Sequence, residues 1–217
     1  MNNLTRVYVK TTTPFYVGLF DSEFHMILDS ITSPKALSVK QVTHSFANTF
    51  VLHHHYLKRK IYIARNVSYG LFMQDWCVGV CMFGFPVWTT FPGLVPPLNP
   101  AECPELIRLC TVGNLPRNSE SYFVGKCLKL LHQAWKIETD VAPKCVVSLC
   151  DESMGFNGSI YKATNFALFT KTKGRAANPG GSHGRWGKNS DTQDSVKAVY
   201  LYWYKRGKHS VIKQNRG

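Results

Sequence analysis

The sequence predicts an α/β chain (α+β mixed) built as a single domain, with a central mixed β-sheet flanked by helices. Three observations carry this. The chain has 217 residues, of which 44% are hydrophobic and 13% aromatic, enough for one large core rather than two. Its first half is rich in β-forming segments. Its second half alternates strand, helix, strand, helix and strand, and helices that alternate with strands pack on the faces of a sheet. The expected bounds are a domain over residues 1–205, with a basic loop at 172–195, and a basic tail over 206–217.

In order along the chain, Val7-Tyr8-Val9 and Phe15-Tyr16-Val17 sit among turn-like residues, predicting strand or irregular structure over the first thirty residues. A helix follows. Ser38 and Gln41 have the spacing of a capping box, and Val42, Phe46, Phe50, His53 and Leu57 recur at helical intervals. It ends in His53-His54-His55-Tyr56 and the run Lys58-Arg59-Lys60, cations that a helix C-terminus favours. Strands are expected at Ile61–Ala64 and from Leu71 to Val87. Five prolines between 89 and 104 make that stretch a loop. Leu106–Val112 reads as a strand, and Gly113–Arg117 turns into a helix capped by Asn118 or Ser119, with Phe123, Cys127, Leu130, Leu131 and Ala134 on one face. Cys145–Cys150 is a buried strand ending at Asp151, and a loop with Gly155 and Gly158 opens a short helix around Tyr161–Ala163. Val199–Tyr204 is the last strand.

Charge narrows the partner. The net charge is +13, and residues 158–217 hold twelve Lys or Arg against two Asp. So one-sided a basic surface attracts a polyanion through phosphate neutralisation and counterion release; the plain alternative is a solvated basic tail. No apolar run reaches the roughly 18–20 residues of a membrane span, and the first six residues have no apolar run after their charge, so the expectation is a soluble cytoplasmic protein. Seven cysteines then read as free thiols in a reducing compartment. Cys77 and Cys81 have metal-pair spacing, but no second pair follows, and within Trp76–Met82 they read as small hydrophobes of a buried strand.

Three constellations bear chemistry. In the first, a strand containing Ser148 ends in Asp151, then continues as Gly155-x-x-Gly158-x-x-Tyr161-x-Ala163-x-Asn165. This sets a carboxylate at the C-terminal edge of a sheet, where α/β ligands bind. Asp151 there is a general base, a metal ligand, an orienting group, or simply a cap for the following turn. The second is Arg108 followed by Pro116-Arg117-Asn118-Ser119-Glu120-Ser121, a helix start whose amides, hydroxyls and Arg117 suit a phosphate, or which is ordinary capping. Neither a Walker-type loop nor GxGxxG is present. The third is His55-Tyr56, which with a carboxylate from elsewhere makes a set able to hold a first-row metal or move a proton.

At these residues the sequence resembles the phage Mom DNA-modification proteins, which have a GNAT-like fold. The resemblance rests on His55-Tyr56, on Arg108-Leu109 leading to Asn118 and Ser121, and on Ser148-x-x-Asp151 with Gly158-x-x-Tyr161-x-Ala163-x-Asn165; a basic aromatic C-terminal strand completes it. These pieces run in order over residues 38–205. The resemblance implies a GNAT-like sheet, modification of adenine N6 in double-stranded DNA with a carbamoylmethyl-type product, and protection of phage DNA from restriction in the host cytoplasm. It also implies an acetyl-coenzyme A-like donor and iron. By position, His55, Tyr56 and Asp151 match the metal or catalytic group, and Tyr161 a residue linked to cofactor binding and catalysis. Ser121, with Arg117 and Asn118, matches the helix start on the cofactor side. Arg175, Arg185, Trp186, Lys188, Lys205 and Arg206 are the expected DNA contacts, with Trp186, Tyr202 or Trp203 available to stack on an extruded base. The chain departs from the family at Phe156, where a His is common. It also lacks the Q/R-x-x-G-x-G/A signature of ordinary acetyltransferases, the equivalent turn reading Gly113–Asn118. Two other readings are an acyltransferase for another amine (a hypermodified pyrimidine, a protein or a small molecule) and a non-enzymatic nucleic-acid-binding protein.

Overall fold

Short-range chemistry sets most element boundaries. The first helix, α1, covers Ser22–Ser30 in the computed structural model, which describes residues 22–86, 99–172 and 196–204. It replaces the strand or irregular structure expected there: Phe24, Ile27 and Leu28 recur at helical spacing, and Leu28 is buried. Next comes strand β1, Ser38–Val42, where the sequence predicted the start of a helix. The cap is instead Thr43, whose hydroxyl accepts from the Phe46 N–H at 3.2 Å and starts helix α2, His44–His54. The competing Ser38/Gln41 pair lies in a strand in register with its neighbour, Ser38 opposite Phe72 and Val42 opposite Ser68.

That neighbour is β2, Asn66–Met73, followed by β3, Trp76–Gly84. The expected continuous strand from Leu71 to Val87 is therefore two strands. Gln74 at φ 52° turns the chain between them, and the exposed polar pair Gln74-Asp75 is the break in the apolar pattern that marks this turn. Ile61–Ala64 is not a strand. Strand β4 is Glu105–Thr111. Helix α3, Ser119–Thr139, buries Phe123, Val124, Cys127, Leu128, Leu131 and Trp135. Leu130, expected on that face, is 45% exposed, one step round the helix from Leu131. Strand β5 is Cys145–Asp151, helix α4 Ser159–Ala163, strand β6 Ala167–Lys171 and strand β7 Lys197–Trp203. β6 was not foreseen; only one of its five residues is even partly buried, so it carries little apolar signal.

The strands form one mixed sheet in the order β1-β2-β3-β4-β5-β7-β6, the class the sequence predicted. β4 and β5 are parallel, while β7 runs antiparallel to both β5 and β6. The chain packs as two compact units; among the described residues, one holds 22–62, 67–82 and 108–130, and the other 63–66, 83–86, 99–107, 131–172 and 196–204.

In the first unit the core is built on Phe50, Val51, Leu71, Phe72, Val78, Val80, Phe123 and Val124. Cys77 and Cys81 lie in it, fully buried, the Cys77 thiol donating to Gly79 O. Burial pushes that thiol up to about 12, the state of a small hydrophobe. In the second unit Val147, Val199 and Leu201 pack with Cys103 and Cys145, and Trp135 donates from Nε1 to Ala101 O at 2.7 Å. Cys103 and Cys145 correct the reading of seven free thiols: they are disulfide-bonded, with Cα atoms 4.9 Å apart. The parallel register of β4 on β5, Glu105 opposite Val147, brings them side by side, a pairing that a separation of 42 residues conceals. Among the described residues no helix is long and apolar enough to cross a membrane.

Candidate functional site

The end of α2 forms a locked corner in the first unit. His55 is the C-cap, its N–H donating to Val51 O at 3.0 Å, and its carbonyl accepts from the Lys58 N–H at 3.0 Å. Lys58 takes φ 42° to make the turn. The chain is then fastened back to α2. The Asn48 side chain, itself buried, accepts from the Ile61 N–H at 2.8 Å and donates to Ile61 O at 2.9 Å, while His44 Nε2 donates to the same oxygen at 2.7 Å.

Within the corner His55 is 7% exposed and its Nδ1 accepts from the Leu57 N–H at 3.1 Å. A neutral imidazole with Nδ1 as acceptor carries its proton on Nε2. Burial first, and the Arg108 guanidinium second, push His55 down to about 4, so the ring is neutral near pH 7. Arg108, on β4, is also buried. Tyr56 stacks on the His55 ring, with centroids 4.3 Å apart and planes at 29°, yet is 49% exposed.

These contacts do not fit the iron set suggested by resemblance. A ligating histidine donates its other ring N–H outward to an acceptor and coordinates through the free lone pair. Here the Nδ1 lone pair is engaged by a backbone donor and Nε2 holds the proton. Among the described residues no three His, Cys, Asp or Glu side chains gather as a metal centre.

The start of α3 belongs to the same unit. Asn118 precedes the helix at φ 68° and is exposed, as is Arg117. Ser119 is buried and donates to Pro116 O at 2.7 Å; Ser121 donates to Asn118 O at 3.1 Å. Both hydroxyl protons are therefore spent within the first turn. Glu120 adds a carboxylate there, accepting from Thr111 Oγ1 at 3.3 Å, and it competes with an incoming anion for the positive end of the helix dipole.

In the second unit β5 delivers Asp151 to its C-terminal end. Asp151 Oδ1 accepts from both the N–H and the hydroxyl of Ser153, at 3.1 and 2.6 Å, and so caps the turn Glu152–Met154. The carboxylate is thereby fixed in orientation. Gly155 at φ 81° and Gly158 at φ 71° bend the loop into α4. Tyr200, on β7, lies directly beneath Gly158. Tyr161 stacks on Tyr200 with centroids 5.1 Å apart and meets Phe166 edge-on at 5.6 Å. Tyr202 packs against Phe166 and Tyr204, so Tyr200 and Tyr202 of β7, with Tyr204 just beyond its end, carry one aromatic face. Tyr200 was not singled out from the sequence, although its alternation with Tyr202 and Tyr204 was there to be seen. Trp203 points to the opposite face, against the Val147–Leu201 cluster. Phe156, at the tip of the acidic loop, is 47% exposed.

The expected DNA contacts Arg175, Arg185, Trp186, Lys188, Lys205 and Arg206 lie outside the described residues.

No curated protein matches the sequence. Among solved structures, the chain is similar to a GNAT family acetyltransferase from Elizabethkingia anophelis with acetyl-CoA bound, at 10% identity and a TM-score of 0.48, over 77% of this chain and 98% of that one. It is similar to the Bacillus subtilis acetyltransferase in complex with CoA, at 10% identity and 0.48, over 78% and 98%. A third is the ribosomal-protein-S18-alanine N-acetyltransferase from Escherichia coli, at 7% identity and 0.48, over 79% and 96%. The family model described as the Mom protein family matches residues 36–214.

Proposed function

The chain belongs to the Mom protein family, and from that membership we propose that it is a GNAT-like transferase that modifies adenine N6 in double-stranded DNA. The group added is a small acyl or carbamoylmethyl-type substituent, and the result is phage DNA resistant to restriction in the host cytoplasm. The observation that carries this reading is the match over residues 36–214. The charge partition supports it: a net +13, concentrated after residue 157, suits a phosphate backbone.

Arg175, Arg185, Lys188, Lys205 and Arg206 neutralise phosphates, and Trp186 stacks on bases. For the acyl version of the reaction an acetyl-coenzyme A-like donor would supply the carbonyl carbon, the bond to N6 forming as the thioester C–S bond breaks and coenzyme A leaving as its thiol. The resemblance assigns Arg117, Asn118 and Ser121 to the donor in the first unit, and links Tyr161, in the second, to cofactor binding. The adenine N6 lone pair is delocalised into the ring, so the amine needs help to react and must leave the base stack to be reached. Asp151 supplies that help by taking the proton that N6 loses on transfer; its orientation is already fixed by Ser153. No step is assigned to iron.

Nucleoside mass spectrometry of plasmid DNA from cells expressing the protein tests this directly. The expected result is a heavier deoxyadenosine that disappears in Asp151→Ala. A heavier pyrimidine would overturn the target base. Unmodified DNA from folded wild-type protein would overturn the reading altogether.

A further inference from the structure

We infer that the stretch following α2 is a second nucleic-acid contact, with Lys58 and Lys60 meeting backbone phosphates and Tyr62 stacking on an unpaired or extruded base. It belongs to the first unit and shares no residue with the basic stretch after residue 157. The inference rests on the DNA reading above for the identity of the polyanion, and on three separate features for the form of the contact.

The first is geometry. Residues 58–63 belong to no helix or strand, yet their exposure alternates residue by residue, the period of extended chain. Ile61 points inward and is 1% exposed. Its N–H and its carbonyl are both engaged by the Asn48 side chain, which stands where a neighbouring strand would. Lys60 and Tyr62 therefore face outward on either side of it, with Lys58 exposed ahead of them. Side chains two residues apart in extended chain leave the backbone about 6.5 Å from one another, so one nucleotide can place its phosphate at Lys60 and its base on Tyr62.

The second is Tyr62 itself. It is 75% exposed, more than any other large hydrophobic side chain among the described residues. Packing therefore does not account for a ring at this position. The Asn48 clamp pins the backbone one residue before it, and a side chain carried on a fixed backbone loses less freedom when a base arrives.

The third is charge. Between Asp29 and Asp75 the sequence holds six Lys or Arg and no Asp or Glu. A solvated face ordinarily mixes the two signs, whereas a field of one sign draws a polyanion. The helix dipole does not account for Lys58 and Lys60: α2 ends at His54, and dipole effects fade within the last turn. Nor do ion pairs, since among the described residues the cations that pair with carboxylates are Arg65, Lys144 and Lys171. Cations beside an exposed ring are how sequence-tolerant sites hold single-stranded nucleic acid, the ring taking a base and the cations its phosphates.

The test measures affinity of the full chain by fluorescence anisotropy, across a salt series, for a labelled single-stranded oligodeoxyadenosine and an abasic strand of the same length. Lys58→Gln combined with Lys60→Gln should lower the slope of log affinity against log salt by about 1.4 on both strands. Lys129→Gln combined with Lys136→Gln, which removes the same charge from α3, should leave the slope near that of wild type. Tyr62→Leu should keep the slope, weaken the adenine strand about tenfold and leave the abasic strand within about twofold. Tyr62→Phe, which keeps the ring, should bind like wild type. All five side chains are exposed, so urea midpoints equal to that of wild type should accompany these effects. An equal fall in slope for the α3 pair would make the effect one of net charge and overturn the contact. So would an unchanged slope in the Lys58/Lys60 variant, a Tyr62→Leu that treats the two strands alike, or a Tyr62→Phe that fails as Tyr62→Leu does. In each of those cases wild type still binds DNA and the DNA reading stands. If wild type binds neither strand nor duplex DNA, the DNA reading itself falls and the contact with it.

Discussion

Gly158→Ala should be among the most damaging single-atom-scale changes in the second unit. Gly158 sits at φ 71° and ψ 14° as the N-cap of α4, a left-handed conformation that costs an L-residue about 1–2 kcal/mol. A Cβ built there would lie 2.5 Å from Tyr200 Cζ and 2.9 Å from Cε2, with the hydroxyl oxygen closer still. Tyr200 cannot swing clear. It is 2% exposed, belongs to β7 between β5 and β6, and has Tyr161 stacked on it. Overpacking of this kind costs about 1–3 kcal/mol, so the two terms together give roughly 2–5 kcal/mol. Urea denaturation with linear extrapolation measures the sum. Adding Tyr200→Leu to Gly158→Ala should restore part of the loss, because the steric term disappears while the backbone term remains. A cost below about 0.5 kcal/mol for Gly158→Ala, the size of an ordinary surface change, would mean that Tyr200 does not lie beneath the loop and that the Gly158–Tyr161 arrangement is wrong.

Two further predictions concern the α2 corner. His55 has a folded pKa of about 4 against an unfolded 6.5, so the unfolded chain binds the extra proton first; stability should be undiminished above pH 6.5, fall by about 2 kcal/mol at pH 5 and level off below 4. His55→Asn should flatten that slope in urea melts followed from pH 7.5 to 4, and an unchanged slope would refute the assignment. Asn48→Ala removes both bonds to Ile61 and leaves its buried N–H without the Asn48 acceptor, His44 still serving the carbonyl. The expected loss is about 2–4 kcal/mol, read as a drop in thermal midpoint, with a loss under about 0.5 kcal/mol counting against the clamp.

The legible parts of the sequence were those governed by local rules with no rival. β4, α3, β5 and α4 emerged because Leu106–Val112 and Cys145–Cys150 are short apolar runs and Gly155 and Gly158 punctuate the chain. Where two local rules competed, spacing could not choose. Ser38-x-x-Gln41 and Thr43 both look like caps; the sheet decided by pairing Ser38–Val42 with β2, leaving Thr43 to start the helix. Leu71–Val87 was read as one run because apolar residues dominate both sides of it; the polar pair Gln74-Asp75, exposed in the turn between β2 and β3, was the local signal that divides it. The Cys103–Cys145 pairing was not legible at all, since it depends on the parallel register of two strands.

For the candidate site residues the sequence supplies residue types, and the structure adds which of their atoms are already engaged. His-Tyr beside a distant Asp is a ligand pattern by residue type alone, and type says nothing of which lone pairs are already used. At His55 one nitrogen accepts from Leu57 and the other keeps the proton. At Asp151 one oxygen serves Ser153 twice. At position 156, where the family often places His, an exposed Phe leaves no donor. Each hydrogen bond is local, spanning two residues; the Leu57 bond would have to break for a metal to bind through His55 Nδ1, at about 1–3 kcal/mol for the N–H left unmet, whereas the exposed Ser153 bonds can be replaced by water. The same bonds hold the His55 ring and the Asp151 carboxylate each in one orientation. On the proposed reading, a fixed orientation is what the Asp151 carboxylate contributes, because a group already positioned lowers the entropic cost of reaching the transition state.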